Sequence, residues 1–130
     1  MDNPEVIEGY LIGSGLAYDA LGDGLWIVHD EGEHVDNIVI HYSHPIVLFR
    51  VKLMDAPSEA AARGALFEDL LRLNATDMVS GAYGLEDNAV VITETLQSEN
   101  LDENEFQAAL DGITLGISQH YKTLKSHLGA

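Results

Sequence analysis

The chain has 130 residues, of which 22 are acidic and 6 are basic, and its formal net charge is −16. Nucleic-acid affinity depends on basic side chains that displace counterions, so this charge argues against a nucleic-acid partner, and an anionic membrane surface is disfavoured for the same reason. The absence of cysteine excludes disulfides, thiolate nucleophiles and cysteine-based zinc sites. An apolar fraction of 46% is typical of a folded protein, and we expect residues 1–130 to form one domain.

The N-terminus and the hydropathy pattern predict a cytoplasmic protein without a membrane segment. Met1–Glu5 lacks the positive charge and the apolar run of a signal peptide. No apolar run approaches the ~20 residues that a spanning helix needs. The acidic excess has two interpretations that stay open: it serves solubility alone, or it attracts a protein partner with basic flanks.

The first half of the chain predicts one helix followed by four strands. The helix begins near Pro4, which suits a first helical turn, and it ends at Gly13–Gly15. Gly22–Gly24 is a strong turn signal between the first two strands. In chain order the strands are predicted at Ala17–Leu21, Leu25–His29, Asn37–Tyr42 and Ile46–Leu53. The fourth strand alternates apolar and basic side chains, as a half-buried antiparallel strand does.

The second half begins with a helix that has an apolar stripe and a predicted N-cap at Ser58. The stripe consists of Leu66, Phe67, Leu70, Leu71 and Leu73. We expect Asn74–Asp77 to end this helix, because such side chains compete for backbone hydrogen bonds. Two strands, Gly81–Leu85 and Ala89–Thr93, then form a hairpin around Glu86–Asn88.

The last segment predicts a long amphipathic helix that opens at Asp102, with Glu105 in the capping-box position. Its apolar stripe comprises Phe106, Leu110, Ile113, Ile117, Tyr121, Leu124 and Leu128. Gly112 and Gly116 lie four residues apart and would permit close approach to a sheet or a partner helix. The resulting order is α-β-β-β-β-α-β-β-α, which favours an α+β fold with an antiparallel β-sheet packed with helices.

Several short motifs add a family resemblance to this pattern. They are Ile7–Leu11, Gly15–Asp19, Gly22–Trp26, Leu70–Asn74, Gly81–Leu85 and Asn100–Asp102. With the element order, they resemble YbjN-type domains and the specialised type III secretion chaperones (Tir chaperone-like domains) over essentially the whole chain. The resemblance implies a secretion-chaperone-like fold, homodimers that hold segments of other proteins on exposed apolar grooves, and no catalytic residues.

From this resemblance we expect a non-catalytic protein-binding module. It would work as a homodimer, hold an apolar segment of a protein client with basic flanks, and need no cofactor. Binding to the folded surface of a neighbouring protein is an equally compatible mode. The candidate partner-binding residues are Trp26, Val47, Phe49, Leu66, Leu70 and Leu73, and we expect most of them to belong to the core.

The histidines give the alternative hypothesis, a small-ligand or metal-binding domain. His41 and His44 lie three apart around a predicted turn, and His29 and His34 flank a loop with three carboxylates. Neither spacing matches a known zinc or calcium motif, so we expect solvated histidines and no metal site.

Catalytic patterns are equally incomplete. Ser14 and Ser43 lack a Gly-x-Ser-x-Gly elbow, and the carboxylates near Asp102 suit helix capping rather than acid–base chemistry.

Overall fold

The computed structural model describes residues 3–30, 35–78 and 80–127. The elements are α1 (Pro4–Ser14), β1 (Ala17–Gly22), β2 (Leu25–Asp30), β3 (Val35–Ser43), β4 (Ile46–Asp55), α2 (Ala60–Thr76), β5 (Ala82–Glu86), β6 (Ala89–Gln97) and α3 (Glu103–Lys125). This order confirms the predicted α+β fold. The predicted acidic loop falls mostly on residues 31–34, which lie outside the described residues.

All strands belong to one antiparallel sheet with the order β1-β2-β3-β4-β6-β5. The first four strands form a meander. The chain then leaves the sheet through α2 and returns as the β5–β6 hairpin, with β6 next to β4. As a result, β1 and β5 are the two edge strands.

The ends of α1 and α3 form where the sequence predicts them. The Asn3 side chain accepts a hydrogen bond from the Val6 amide at 3.0 Å, and Gly15 ends α1 in the left-handed region with a φ of 77°. Glycine adopts that conformation without a steric penalty. At the start of α3, Asp102 and Glu105 form the predicted capping box, in which each side chain accepts from the other residue's backbone amide.

Both ends of α2 differ from the prediction. The N-cap is Glu59 rather than Ser58, because the Glu59 carboxylate accepts from the amides of Ala61 and Ala62. The helix also continues to Thr76 instead of breaking at Asn74. The Asn74 amide bonds to strand β5, so it does not compete with the helix for its own backbone.

Most of the predicted α3 stripe is buried: Phe106, Leu110, Ile113, Ile117 and Leu124 all lie in the core. Tyr121 is the exception with 37% exposure, and its neighbour His120 is buried instead. Leu128 lies outside the described residues. The predicted close approach at Gly112 occurs against the segment between α2 and β5, where a β-carbon on Gly112 would lie 2.6 Å from the Ser80 side chain.

The two faces of the sheet have different surroundings. The covered face, which packs against the helices, carries Trp26, Val28, Ile38, Ile40, Val47, Phe49, Val51, Val90 and Ile92, all buried in one core cluster. The Phe106 ring on α3 contacts both Phe49 and Tyr10 there, with centroid distances of 5.3 and 5.6 Å. We call the opposite side of the sheet the open face.

Candidate functional site

Four of the six predicted partner-binding residues are buried in the core. Trp26, Val47, Phe49 and Leu66 are each 2% exposed or less. They contact the interior of the chain, so they form no surface groove in this conformation. The sequence analysis expected most of the six to belong to the core, and strand alternation identifies residues that share a face without identifying which face is covered.

The other two residues lie near the surface of α2. Leu73 is half-buried and packs against the core cluster. Leu70 is buried, but it lines an open apolar cavity between α2 and β5. A role of any of the six residues in partner binding stays a prediction.

This α2–β5 cavity has a volume of about 180 Å³. Its lining consists of Phe67, Leu70, Leu71, Asn74, Tyr83, Gly84, Leu85 and Val90. Leu71 is 68% exposed and Leu85 is 47% exposed, so apolar side chains also face solvent at its rim. A cavity of ~150 Å³ binds a benzene ring, so this one has room for one aromatic or branched aliphatic side chain.

Asn74 fixes the distance between the two walls of the cavity. Its Nδ2 donates to the Tyr83 carbonyl at 3.1 Å, and its Oδ1 accepts from the Tyr83 amide at 2.8 Å. A single side chain therefore satisfies both outward backbone groups of one residue in the edge strand. This pair of hydrogen bonds holds the last turn of α2 against β5.

A chain of polar side chains stabilises the wall formed by β5. The Tyr83 hydroxyl lies 2.7 Å from Nδ1 of His120, and Nε2 of His120 lies 3.3 Å from an Asp77 carboxylate oxygen. Burial, with a smaller contribution from the Asp77 charge, raises the pKa of Tyr83 far above its ordinary value. The neutral hydroxyl therefore donates to Nδ1, and the Nε2 hydrogen is directed to Asp77.

This arrangement is suited to structure rather than to catalysis. A nucleophilic tyrosine needs accessibility and a lowered pKa, whereas Tyr83 is buried and its pKa is raised. The chain of hydrogen bonds instead links β5 to α3 and to the end of α2. A second link between the helices joins Nε2 of His127 to the Asp69 carboxylate at 2.8 Å.

Acidic residues flank the cavity lining in sequence. Glu68 and Asp69 lie between the lining residues of α2, and Glu86 and Asp87 directly follow Leu85. Glu68 pairs with Arg72 at 3.2 Å. Asp69 is bonded to His127 and Glu86 to Arg50, and the protein as a whole has a net charge of −16.

The predicted metal candidates are dispersed. His41 and His44 are exposed, and His29 donates from Nε2 to the Asp19 carboxylate at 3.1 Å. Within the described ranges, no three histidine or carboxylate side chains are placed to hold a metal ion. His34 and the acidic loop lie outside those ranges, so the alternative hypothesis of a metal-binding loop is not tested there. Of the described helices, none has the length and apolarity to cross a membrane.

The sequence signal for the cavity was present but incomplete. Leu71 belongs to the predicted apolar stripe of α2. It is exposed because the stripe is wider than the part of the helix that contacts the core. Tyr83 and Leu85 alternate on a short predicted strand. Their meeting with α2 depends on the position of the hairpin at the sheet edge, which local periodicity does not encode.

Solved structures share this fold across most of the chain. YbjN from E. coli superposes with a TM-score of 0.68 at 16% identity, covering 92% of each chain. The heterodimeric ExoU–SpcU complex of the Pseudomonas aeruginosa type III secretion system gives 0.67 at 18% identity, covering 87% of this chain and 93% of that one. The Yersinia pestis type III secretion chaperone SycH, in complex with a fragment of YscM2, gives 0.61 at 12% identity, covering 88% and 97%.

The chain therefore shares its fold with YbjN and with the type III secretion chaperone SycH. No curated protein matches the sequence. The family model CesT_Tir_1 matches residues 2–128, and the chain belongs to this family.

Proposed function

We propose that this chain is a non-catalytic, chaperone-like protein-binding module that works as a homodimer in the cytoplasm. It holds an apolar segment of a partner protein by placing one side chain of that segment in the α2–β5 cavity. The observation that carries this proposal is the cavity itself, which is apolar, open and bordered by exposed Leu71 and Leu85. Likeness to the chaperone SycH, solved in complex with a fragment of YscM2, supports the same role.

The expected free energy of binding suits a protein that binds its partner reversibly. Burial of one large apolar side chain contributes about 1.5–3 kcal/mol. That alone is too little for a stable complex, so the flanks of the segment must contribute as well. Basic flanks are favoured because the protein has a net charge of −16 and Asp87 follows the rim residue Leu85 by two positions in the chain. Attraction of this kind raises the association rate and weakens as salt screens it.

A labelled peptide with one phenylalanine between lysine-rich flanks tests the site directly. We expect the wild-type protein to bind it and Leu71→Glu to bind it at least about tenfold more weakly, because the added carboxylate lies at the apolar rim. Fluorescence anisotropy gives the affinity, and methyl NMR shifts at Leu70 and Val90 locate the peptide.

Leu115→Glu is the matched control. Leu115 is half-exposed on α3, away from the residues that line the cavity, and the substitution changes type and charge in the same way. Its affinity for the peptide should equal that of the wild type. Equal binding by Leu71→Glu, or shifts confined to residues away from the cavity, would refute the proposed site.

A further inference from the structure

A second cavity lies at the other edge of the sheet from the α2–β5 cavity. It opens between the start of α1 and the β1–β2 hairpin, and its volume is about 330 Å³. Its lining consists of Pro4, Glu5, Glu8, Ala20, Gly22, Asp23, Gly24 and Trp26. Sites for small molecules have volumes of about 300–1,000 Å³, so this α1–β1 cavity has room for a small ligand.

The strand register explains why there is open space at this place. Ala20 on the edge strand lies opposite Trp26, so both side chains are on the covered face of the sheet. Ala20 is nevertheless exposed. Its methyl group and the two glycines of the hairpin are too small to fill the space beside α1.

Three carboxylates line this space. Glu5 and Glu8 lie one turn apart on α1, and Asp23 is in the turn of the hairpin. Oε2 of Glu8 accepts a hydrogen bond from the Tyr18 hydroxyl at 3.0 Å, which orients the half-buried Glu8 side chain. The same hydrogen bond raises the pKa of Tyr18, so the hydroxyl keeps its proton and donates it to Glu8.

This part of the chain contains no lysine or arginine that could offset the three charges. The first such residue is Arg50, whereas the cavity is built from residues 4–26. Arg50 itself pairs with Glu86, and Lys52 and Arg72 pair with carboxylates on their own elements. The charge of the cavity therefore favours a cation from outside the chain.

The indole of Trp26 provides an independent observation. Trp26 is 2% exposed, and within residues 3–30, 35–78 and 80–127 its Nε1 forms no hydrogen bond. No fully enclosed polar side-chain atom lacks a partner in those ranges, so this N–H reaches the open space that Trp26 lines. An indole N–H can only donate. It therefore requires an acceptor oxygen, which an ammonium group does not provide.

We infer that the α1–β1 cavity binds a small organic cation that also carries a hydroxyl or carbonyl oxygen. Its ammonium groups would lie among the three carboxylates, and its oxygen would accept from Nε1 of Trp26. No three carboxylate or histidine side chains of the described residues are placed to share one metal ion, which favours a ligand with separated charges. The site does not depend on the proposed function, because β1 and β5 are opposite edges of the sheet.

Diaminopropanol, with two terminal ammonium groups and a central hydroxyl, is the probe that tests this site. Trp26 is the only tryptophan of the chain, so its fluorescence reports directly on the cavity. We expect a saturable change in its emission. Propanediamine lacks the hydroxyl and should bind about two- to tenfold more weakly, which is the effect of one hydrogen bond. Glycerol has a similar shape without the charges and should cause no change.

Two variants locate the binding. Asp23→Asn removes one carboxylate and should weaken diaminopropanol binding at least about threefold. Its matched control is Asp87→Asn, the same change in the turn of the β5–β6 hairpin at the other edge, which should bind like the wild type. Ala20→Leu fills the cavity without a change of charge and should abolish the response. Circular dichroism establishes that each variant is folded.

Four outcomes would overturn the inference. One is a wild type without a saturable response. Another is equal binding by Asp23→Asn and Asp87→Asn, or an undiminished response of Ala20→Leu, because the amine would then be attracted to the acidic surface at large. An equal response to magnesium chloride would show screening alone. A response to the lysine-flanked peptide but not to diaminopropanol would make the cavity a contact for a protein segment. None of these outcomes alters the comparison of Leu71→Glu with Leu115→Glu, which tests the proposed function separately.

Discussion

The covered and open faces of the sheet are made of neighbouring residues on the same strands, yet they differ in almost every physical property. Val47 points into the helix-side core and is fully buried, whereas Leu48, one residue later, is half-buried on the open face. The covered face is sealed by aromatic and aliphatic contacts from all three helices. The open face combines aliphatic side chains with polar ones, such as the ion pair of Arg50 with Glu86.

The difference shows that an apolar strand residue does not have to belong to the core. On β2 the first residues of both alternating sets are apolar, Leu25 and Ile27 on the open face and Trp26 and Val28 on the covered face, which gives a continuous apolar run in the sequence. Such runs are typical of strands covered on both faces. In this chain the described helices cover one face, and Leu25 and Ile27 stay half-buried on the other.

The sharpest test of this comparison places the same charge on each face of β4. Val47→Glu buries an unpaired carboxylate and should lower the free energy of unfolding by at least about 4 kcal/mol, or prevent folding. Leu48→Glu should change it by about 1 kcal/mol or less. Urea denaturation measures both, at a protein concentration low enough to keep the chains monomeric. Equal losses in the two variants would mean that the open face is not solvent-accessible in the monomer.

Substitutions of glycine by alanine test the tight packing on the covered side, and their expected effect on stability is smaller. Gly112→Ala should lower the free energy of unfolding by about 1–3 kcal/mol, because its β-carbon would overlap Ser80. Gly64→Ala, inside α2 with open space around it, should raise it by about 0.5–1 kcal/mol through helix propensity. Thermal unfolding of the two variants compares them, and an increase for Gly112→Ala would contradict the close approach of α3.

The smallest expected effect concerns the buried hydroxyl of Tyr83. Burial raises the pKa of Tyr83 above the ordinary value of about 10, so the folded chain keeps its proton to higher pH than the unfolded chain. Stability is therefore unaffected below about pH 10. It falls as pH rises further, by up to about 1.4 kcal/mol per unit. Tyr83→Phe should have a shallower decline than the wild type between pH 9 and about pH 11.

Two other tyrosines provide the background for that measurement. Burial raises the pKa of Tyr10, and a hydrogen bond to Glu8 raises that of Tyr18, so some alkaline loss is expected in both proteins. The informative quantity is the difference in slope between wild type and Tyr83→Phe. Parallel curves would show that the Tyr83 hydroxyl titrates alike in the folded and unfolded states.

The sequence predicted the architecture because each element is encoded by local features. Gly15 ends α1, Asp102 and Glu105 cap α3, and the glycine-rich turn joins β1 to β2. The misassigned positions depend on longer-range contacts. Asn74 is kept inside α2 by hydrogen bonds to β5, and His120 is buried because Tyr83 and Asp77 satisfy both ring nitrogens.

The candidate site was predictable only in part for the same reason. Residues such as Trp26 and Phe49 are strongly apolar, and that property alone does not separate a core residue from a groove residue. The α2–β5 cavity arises where a helix meets an edge strand that follows it in the chain. The position of the cavity depends on how α2 packs against β5. The periodicity of apolar residues identifies only which face of a single helix or strand is apolar.

The hydrogen bonds of Asn74 have a consequence for aggregation. An edge strand offers unpaired amides and carbonyls that can template the addition of a strand from another molecule. At Tyr83 both groups are already occupied by the Asn74 side chain, which acts there as a substitute for a neighbouring strand. Growth of the sheet past β5 would first have to displace α2. The edge next to the α2–β5 cavity is thereby protected at Tyr83 from the addition of a further strand, while the cavity itself stays open.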